Sequence, residues 1–295
     1  PGCQSRRDLG AGMSAGEPDP AAQRWERLLG QPEEAVDLAE GALLIASQRY
    51  PGLDVDHYLA ELRSMGKAVA KRIGDANGTA AVAALNDYLF RELGYGPNRS
   101  DYYDERNSYL NDVMERRVGI PITLSVVYLS VAEAAGLPME GISFPGHFLV
   151  SMPLEEGLLV LDPYSAGTSL DLDDLRGRLT ALSVPAAELD DVLRRLIVPA
   201  GPREILARML RNLRDIHRAD AIGLPLALAA SDRIIQLAPA AEEFRERGRI
   251  YREMECFRPA LADLERYLSD RPDAIDGRSV RQEIAVLRKS VTLIQ

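Results

Sequence analysis

Of the three histidines, His57, His147 and His217, only His147 stands in a setting suited to chemistry. It lies in Phe144-Pro145-Gly146-His147-Phe148, inside an apolar run that reads as a strand over residues 141–152, where Gly146 gives close access to backbone or ligand. Asp162 closes the next apolar run, fifteen residues on, so a hairpin would bring the two within hydrogen-bonding range. A histidine oriented by a carboxylate is the usual general-base arrangement, and it needs a nucleophile to activate. The hydroxyls of Thr123 and Ser125 are available at the start of an apolar stretch, whereas Cys3 and Cys256 fall in other segments. Three roles are open to the His147–Asp162 pair: a tie between two strands, part of a ligand cleft, or a catalytic base.

The element that must position these groups is the stretch Gly119-Ile120-Pro121-Ile122-Thr123 and the run ending at Ala135-Gly136-Leu137-Pro138. Gly119 lets the chain turn, and Pro121 suits a first helical position, where its missing N–H is not needed. From Ile122 to Ala135 apolar or small side chains occupy nearly the whole circumference. That predicts a central helix covered on most sides. About 21 Å of helical rise is too short to cross a bilayer. Before it, Asn107, Asn111, Glu115, Arg116 and Tyr103 belong to an aromatic and Asx-rich segment, residues 101–116. They read either as a packed turn with a helix cap or as the polar wall of a ligand cleft beside the Pro121 helix.

Around this centre the pattern is helical up to about residue 94, with Val36, Ala39 and Leu43, then Leu59, Leu62, Val69 and Ile73, then Val82, Leu85 and Leu89 at three- and four-residue spacings. Asp56 is expected to cap the second of these helices. Leu158-Leu159-Val160-Leu161 is the expected partner of the His147 strand, with two short helices over residues 171–182 and 186–196. Helices followed by antiparallel strands define an α+β domain over residues 21–198, preceded by a flexible tail over 1–20 in which Met13 is a candidate start. Pro199-Ala200-Gly201-Pro202 marks the boundary to an all-helical domain over 199–295. There, Pro239 and Pro272 are 33 residues apart, and Gly248, Tyr251, Phe257, Ala260 and Pro272 stand where a tetratricopeptide unit wants its small, aromatic, small and terminating residues. Arg208, Arg211, Arg214 and Arg218 form a series that is either a solvated face or a basic partner-facing stripe.

The net charge of −10 argues against a nucleic-acid partner. Two cysteines support neither a disulfide framework nor a zinc site, and no His-Glu-x-x-His or similar motif calls for a metal or any other cofactor. With no apolar run of membrane length, a cytoplasmic protein acting away from membranes is expected.

The segments LNDYLFRELGY, YYDERNSYLNDVMERRVGIPITLSVVYLSVAEAAGLP, FPGHFLVS and VLDPYSAG, in this order, resemble the SirB family of bacterial transglutaminase-like proteins followed by tetratricopeptide repeats. The resemblance implies a papain-related fold in which a cysteine at the start of the central helix completes a triad with His147 and Asp162. That cysteine would fall near Pro121 to Thr123, and none is there. The resemblance also implies that Gly-x-Pro-Ile-Ser/Thr is the family's own sequence at this place. Two expectations follow. The first is a transglutaminase-like pseudoenzyme that acts by binding a protein or peptide through its helical repeats, in a regulatory or adaptor role. The second is an amide or ester hydrolase or acyl transferase with His147 as base, Asp162 as orienter and Thr123 or water as nucleophile.

Overall fold

The computed structural model describes residues 19–293. The expected tail over 1–20 and the start at Met13 lie outside them, except for Asp19 and Pro20, and Pro20 already opens a helix. Two compact units divide at Ile205 and Leu206, one of them Arg24–Ile205 and the other containing the chain from Leu206 onward.

Helix α1 (Pro20–Gly30), of which Arg24 onward belongs to the first unit, buries Trp25 and Leu28, one turn apart. Helix α2 (Leu38–Ser47) starts at Asp37, whose carboxylate accepts the Glu40 N–H at 2.9 Å. Helix α3 (Val55–Ile73) is capped by Asp54, which accepts the His57 N–H at 3.0 Å. The cap is therefore Asp54 and not Asp56, which lies inside the first turn. Helix α4 (Gly78–Asn86) runs on into a π-helical turn, Asp87–Glu92. Strand β1 (Gly96–Pro97) pairs in parallel with β2 (Val118–Gly119) across the short α5 (Leu110–Arg116), and left-handed Arg117 ends that helix at φ 56°.

Helix α6 (Pro121–Ala134) is the centre that the sequence predicts. Every residue from Pro121 to Ala132 is buried. Its close neighbour is α3, where a Cβ added to Gly66 would fall 2.3 Å from Ala134 Cβ, so glycine lets the two helices approach. Gly136, at φ 80°, ends α6 with paired bonds, Gly136 N–H to Glu133 and Leu137 N–H to Ala132, both 2.9 Å. This is the Schellman closure that a left-handed glycine makes possible.

The β region departs from expectation. Residues 141–152 are not one strand but β3 (Glu140–Ile142) and β4 (Leu149–Leu154), followed by β5 (Gly157–Asp162) and β6 (Thr168–Leu170) in an antiparallel meander of order β3-β4-β5-β6. Between β3 and β4 the chain turns at Phe144-Pro145-Gly146-His147, with His147 N–H bonded to Phe144 O at 3.2 Å and Gly146 at φ 71°. Proline then glycine with positive φ is the signature of a type II turn, so His147 sits at a bend rather than mid-strand. Helix α7 (Leu172–Ala181) opens on a reciprocal box between Asp171 and Asp174, and α8 (Leu189–Leu196) follows. Their Leu175, Leu179 and Leu193 close a core with Ile142, Phe144, Leu149 and Val160.

The second unit continues from α9 (Pro202–Arg218) through α10 (Leu224–Leu237), α11 (Ala241–Glu253), α12 (Phe257–Asp270) and α13 (Gly277–Leu293). The repeat is visible in the backbone. Helices α10 and α12 have 14 residues each, and both are followed by a residue forced out of the helical region by the next proline. Ala238 has φ −142°, ψ 73°, and Arg271 has φ −134°, ψ 69°. At Gly248 an added Cβ would meet Asp263 Cβ and Leu264 Cγ at 3.1 Å, which explains the small residue where α11 crosses α12. Val280, Ile284 and Leu287 of α13 are buried against this pair.

Candidate functional site

The start of α6 is built without a charged or exposed reactive group. Thr123 is wholly buried. Its hydroxyl donates to Asn107 O at 2.7 Å, lies 3.2 Å from Ile120 O and accepts the Ile120 N–H at 3.2 Å. It is a backbone clasp that caps α6 and ties the preceding loop to it. Ser125, also wholly buried, donates to Phe148 O at 3.2 Å and so anchors the chain beside His147.

The His147 side chain is 33% exposed, with the Tyr164 ring edge-on at 6.3 Å between centroids. Asp162, at the end of β5, is fully buried, and its Oδ2 lies 3.9 Å from His147 Nδ1. The structure thus brings the pair together, yet the separation exceeds hydrogen-bond reach. The carboxylate has nearer partners: Arg178 Nη2 at 2.7 Å and Ser165 Oγ at 3.1 Å on Oδ2, and Tyr164 N–H at 3.1 Å on Oδ1. Arg178 is the residue that sequence reading missed. The signal was present in the helix phase, because Asp171-x-x-Asp174 fixes the start of α7 and places Leu175, Arg178 and Leu179 on one inward stripe.

The residues expected to line a cleft are distributed otherwise. Asn107 is wholly buried, and its amide donates to Asp101 O at 2.7 Å and Tyr102 O at 3.2 Å while Oδ1 accepts from Asn98 at 3.0 Å. It organises the loop from within. Asn111 is buried, and its Oδ1 has no hydrogen-bond partner among the described residues. Glu115 is exposed and accepts the Tyr58 hydroxyl. Arg116 pairs with Asp104 at 3.3 Å. Arg106, mainly through its side-chain hydrogen bonds, holds the Asp104 carboxyl below the usual carboxylate range. Tyr103 is 77% exposed and stands in solvent. Of these five, Asn107 and Arg116 are brought together, Arg116 Nη1 donating to Asn107 Oδ1 at 3.5 Å, while Asn111 is buried, Glu115 bonds Tyr58 at the surface and Tyr103 packs edge-on against Tyr102 at 5.3 Å between centroids. Nearby, burial pushes the Asp112 carboxyl above its usual range although Tyr50 donates to it at 2.7 Å.

In the second unit the arginine series is neither a solvated face nor a basic stripe open to a partner. Arg211 and Arg214 both reach Glu243, itself buried, and Arg218 reaches Glu246 at 3.0 Å and Glu253 at 2.6 Å. Arg211, Arg214 and Arg218 thus form the seam between α9 and α11. Burial alone would push Glu246 up, but Arg245, Arg249 and Arg218 outweigh it and hold the carboxyl below its usual range. Among the described residues no cluster of three or more His, Cys, Asp or Glu could hold a metal ion, and no helix is long and apolar enough to cross a membrane.

The pattern of the transglutaminase-like superfamily matches residues 56–211, more than half of the chain. The chain belongs to the transglutaminase-like superfamily. A tetratricopeptide repeat pattern matches residues 213–285, which covers the 33-residue period seen in the backbone. A UPF0162 protein of Xylella fastidiosa (strain Temecula1) is 39% identical over 265 residues, covering 89% of this chain and 94% of that protein. Protein SirB1 of Salmonella typhimurium is 26% identical over 208 residues, 70% of this chain and 76% of its own length. The human F-box only protein 21 is 31% identical over 147 residues, 45% of this chain and 23% of that protein. No solved structure matches the chain. The transglutaminase-like unit followed by tetratricopeptide repeats is therefore the SirB-family arrangement, and α+β followed by all-α is the fold.

Proposed function

We propose that this transglutaminase-like protein works by binding a protein or peptide through its repeats, as a regulatory adaptor in the cytoplasm, with no catalytic turnover at the start of α6. The observation that carries this reading is the state of Thr123: wholly buried, clasped to Asn107 and Ile120, and standing where the family's enzymes would need a nucleophile. A tetratricopeptide array offers an extended surface to a partner segment. In support, a cleft of about 690 Å³ opens in the repeat unit, lined by Glu242, Arg245, Tyr267, Arg271, Ile275 and Asp276, with the Ile275 side chain wholly exposed at its rim. The test is affinity capture and cross-linking with the full chain beside Ile275→Asp, a change at an exposed position that leaves the fold intact. A defined partner held by wild type and lost from I275D supports the reading; equal capture by both, or no reproducible partner, sinks it.

The partly exposed His147 keeps a second reading in play, in which the imidazole activates water for amide or ester hydrolysis or acyl transfer. A broad amide, ester and acyl-transfer screen of wild type against His147→Ala decides it. Turnover that disappears in a folded H147A would establish the enzyme.

A further inference from the structure

Three donors already occupy Asp162, and a fourth waits beside it. On Oδ2, the oxygen nearest His147, sit Arg178 Nη2 at 2.7 Å and Ser165 Oγ at 3.1 Å, and on Oδ1 sits the Tyr164 N–H at 3.1 Å. A carboxylate oxygen offers two lone-pair directions, so Oδ2 is fully used. His147 Nδ1, at 3.9 Å, can reach it only by displacing one of the two. Of these, the guanidinium bond is charge-assisted and about twice as strong as a neutral one. Asp162 is also fully buried, so its charge requires a cation close by.

We infer that Arg178 is a positioning residue that holds Asp162 out of partnership with His147, so the two residues lie side by side without acting as a coupled base. The holding group is delivered by a rigid element. The Asp171–Asp174 box sets the start of α7, and Leu175 and Leu179, at 2% and 1% exposure, lock the turn that carries Arg178. The hold is also one-pronged. Nη2 takes the carboxylate, while the buried Nη1 has no hydrogen-bond partner among the described residues. A fork-on-fork pair would have engaged both carboxylate oxygens; here Oδ1 is left to the Tyr164 amide, and the arginine competes for the one oxygen that faces the imidazole. This arrangement is independent of whatever the repeats bind.

Nitrogen-15 NMR of the histidine rings in the full chain tests it, comparing wild type with Arg178→Met, Arg178→Lys, Ser165→Ala and the double variant Arg178→Met with Asp162→Asn. Wild type, R178K and S165A are expected to show no His147 Nδ1 proton bonded to the carboxylate. R178M is expected to gain a strongly deshielded Nδ1 proton with a shift of the ring to the Nδ1–H tautomer, and the double variant to lose both. A purely structural role for Arg178 would broaden or shift many signals without creating that one. The inference fails if wild type already carries a deshielded Nδ1 proton, if folded R178M gains none, or if S165A gains one, which would make the hydroxyl the holding group. Should R178M not fold, Arg178→Gln takes its place: a folded R178Q that gains the deshielded proton supports the inference, and one that gains none overturns it.

Discussion

Glu243 in the repeat unit and Asp162 in the transglutaminase-like unit are both buried carboxylates held by arginine, and they do different work. Glu243 takes two guanidiniums, Arg211 at 2.8 Å on Oε1 and Arg214 on Oε2, both from the neighbouring helix, so its charge joins α9 to α11. Asp162 takes one guanidinium, one hydroxyl and one amide, and all three lie around a bend that carries a partly exposed histidine. Burial of a carboxylate does not by itself mark a catalytic residue. What surrounds it, and which of its lone pairs are left, decides whether it can orient a base.

The comparison can be broken most forcefully at Glu243. Glu243→Gln removes the buried charge that Arg211 and Arg214 share in the seam and is expected to destabilise the repeat unit by about 3–5 kcal/mol, read as a fall in the urea midpoint. Asp162→Asn also removes a buried charge, but Arg178, 24% exposed, can turn to solvent; a loss of about 2–3 kcal/mol is expected in the same measurement. Equal losses at both sites would show that Asp162 is as structural as Glu243. Thr123→Val takes away the cap of α6 and the tie to Asn107, for about 1–2 kcal/mol. Thr123→Ser should restore most of it, since only the hydroxyl is used; a nucleophilic threonine would instead appear as lost turnover at unchanged stability.

The smallest effects separate the units by pH. Asp112, raised by burial, takes up a proton more readily folded than unfolded, so its contribution to stability declines as pH rises from about 4 through its folded value. Asp112→Asn should remove that decline. Glu246 is lowered, so its contribution is present above about 4.5 and fades as pH falls through its folded value. Amide exchange followed from neutral pH down to about 4 should show protection around Glu246 weakening while that around Asp112 holds or gains. A uniform response of the two regions would count against this division.

Much of this architecture is legible in the sequence because single residues force it. Pro121 and Gly136 bracket α6, and an apolar circumference between them leaves burial as the outcome. The prolines at 239 and 272 force the same backbone bend twice. The β region was misjudged for an equally local reason: Phe144 and Phe148 are both fully buried, so the run looks like one strand, while the Pro145-Gly146 pair inside it dictates a turn. The site was only half legible. His147 and Asp162 announce themselves by type and spacing, but the identity of the nearest donor depends on how α7 returns to the sheet, a tertiary fact that reaches the sequence only through the phase of a short helix. The cleft-wall expectation was hard to resolve from sequence because an asparagine in such a segment can organise a loop from within, as Asn107 does through its bonds to Asp101 O and Tyr102 O, as readily as it can face a ligand.

The matched bends at Ala238 and Arg271 have an evolutionary reading. Two helices of equal length that end in the same conformation make residues 239–271 a cassette whose two ends are interchangeable. Duplicating or deleting such a cassette would change the length of the helical array by one helix pair without altering a single residue around His147.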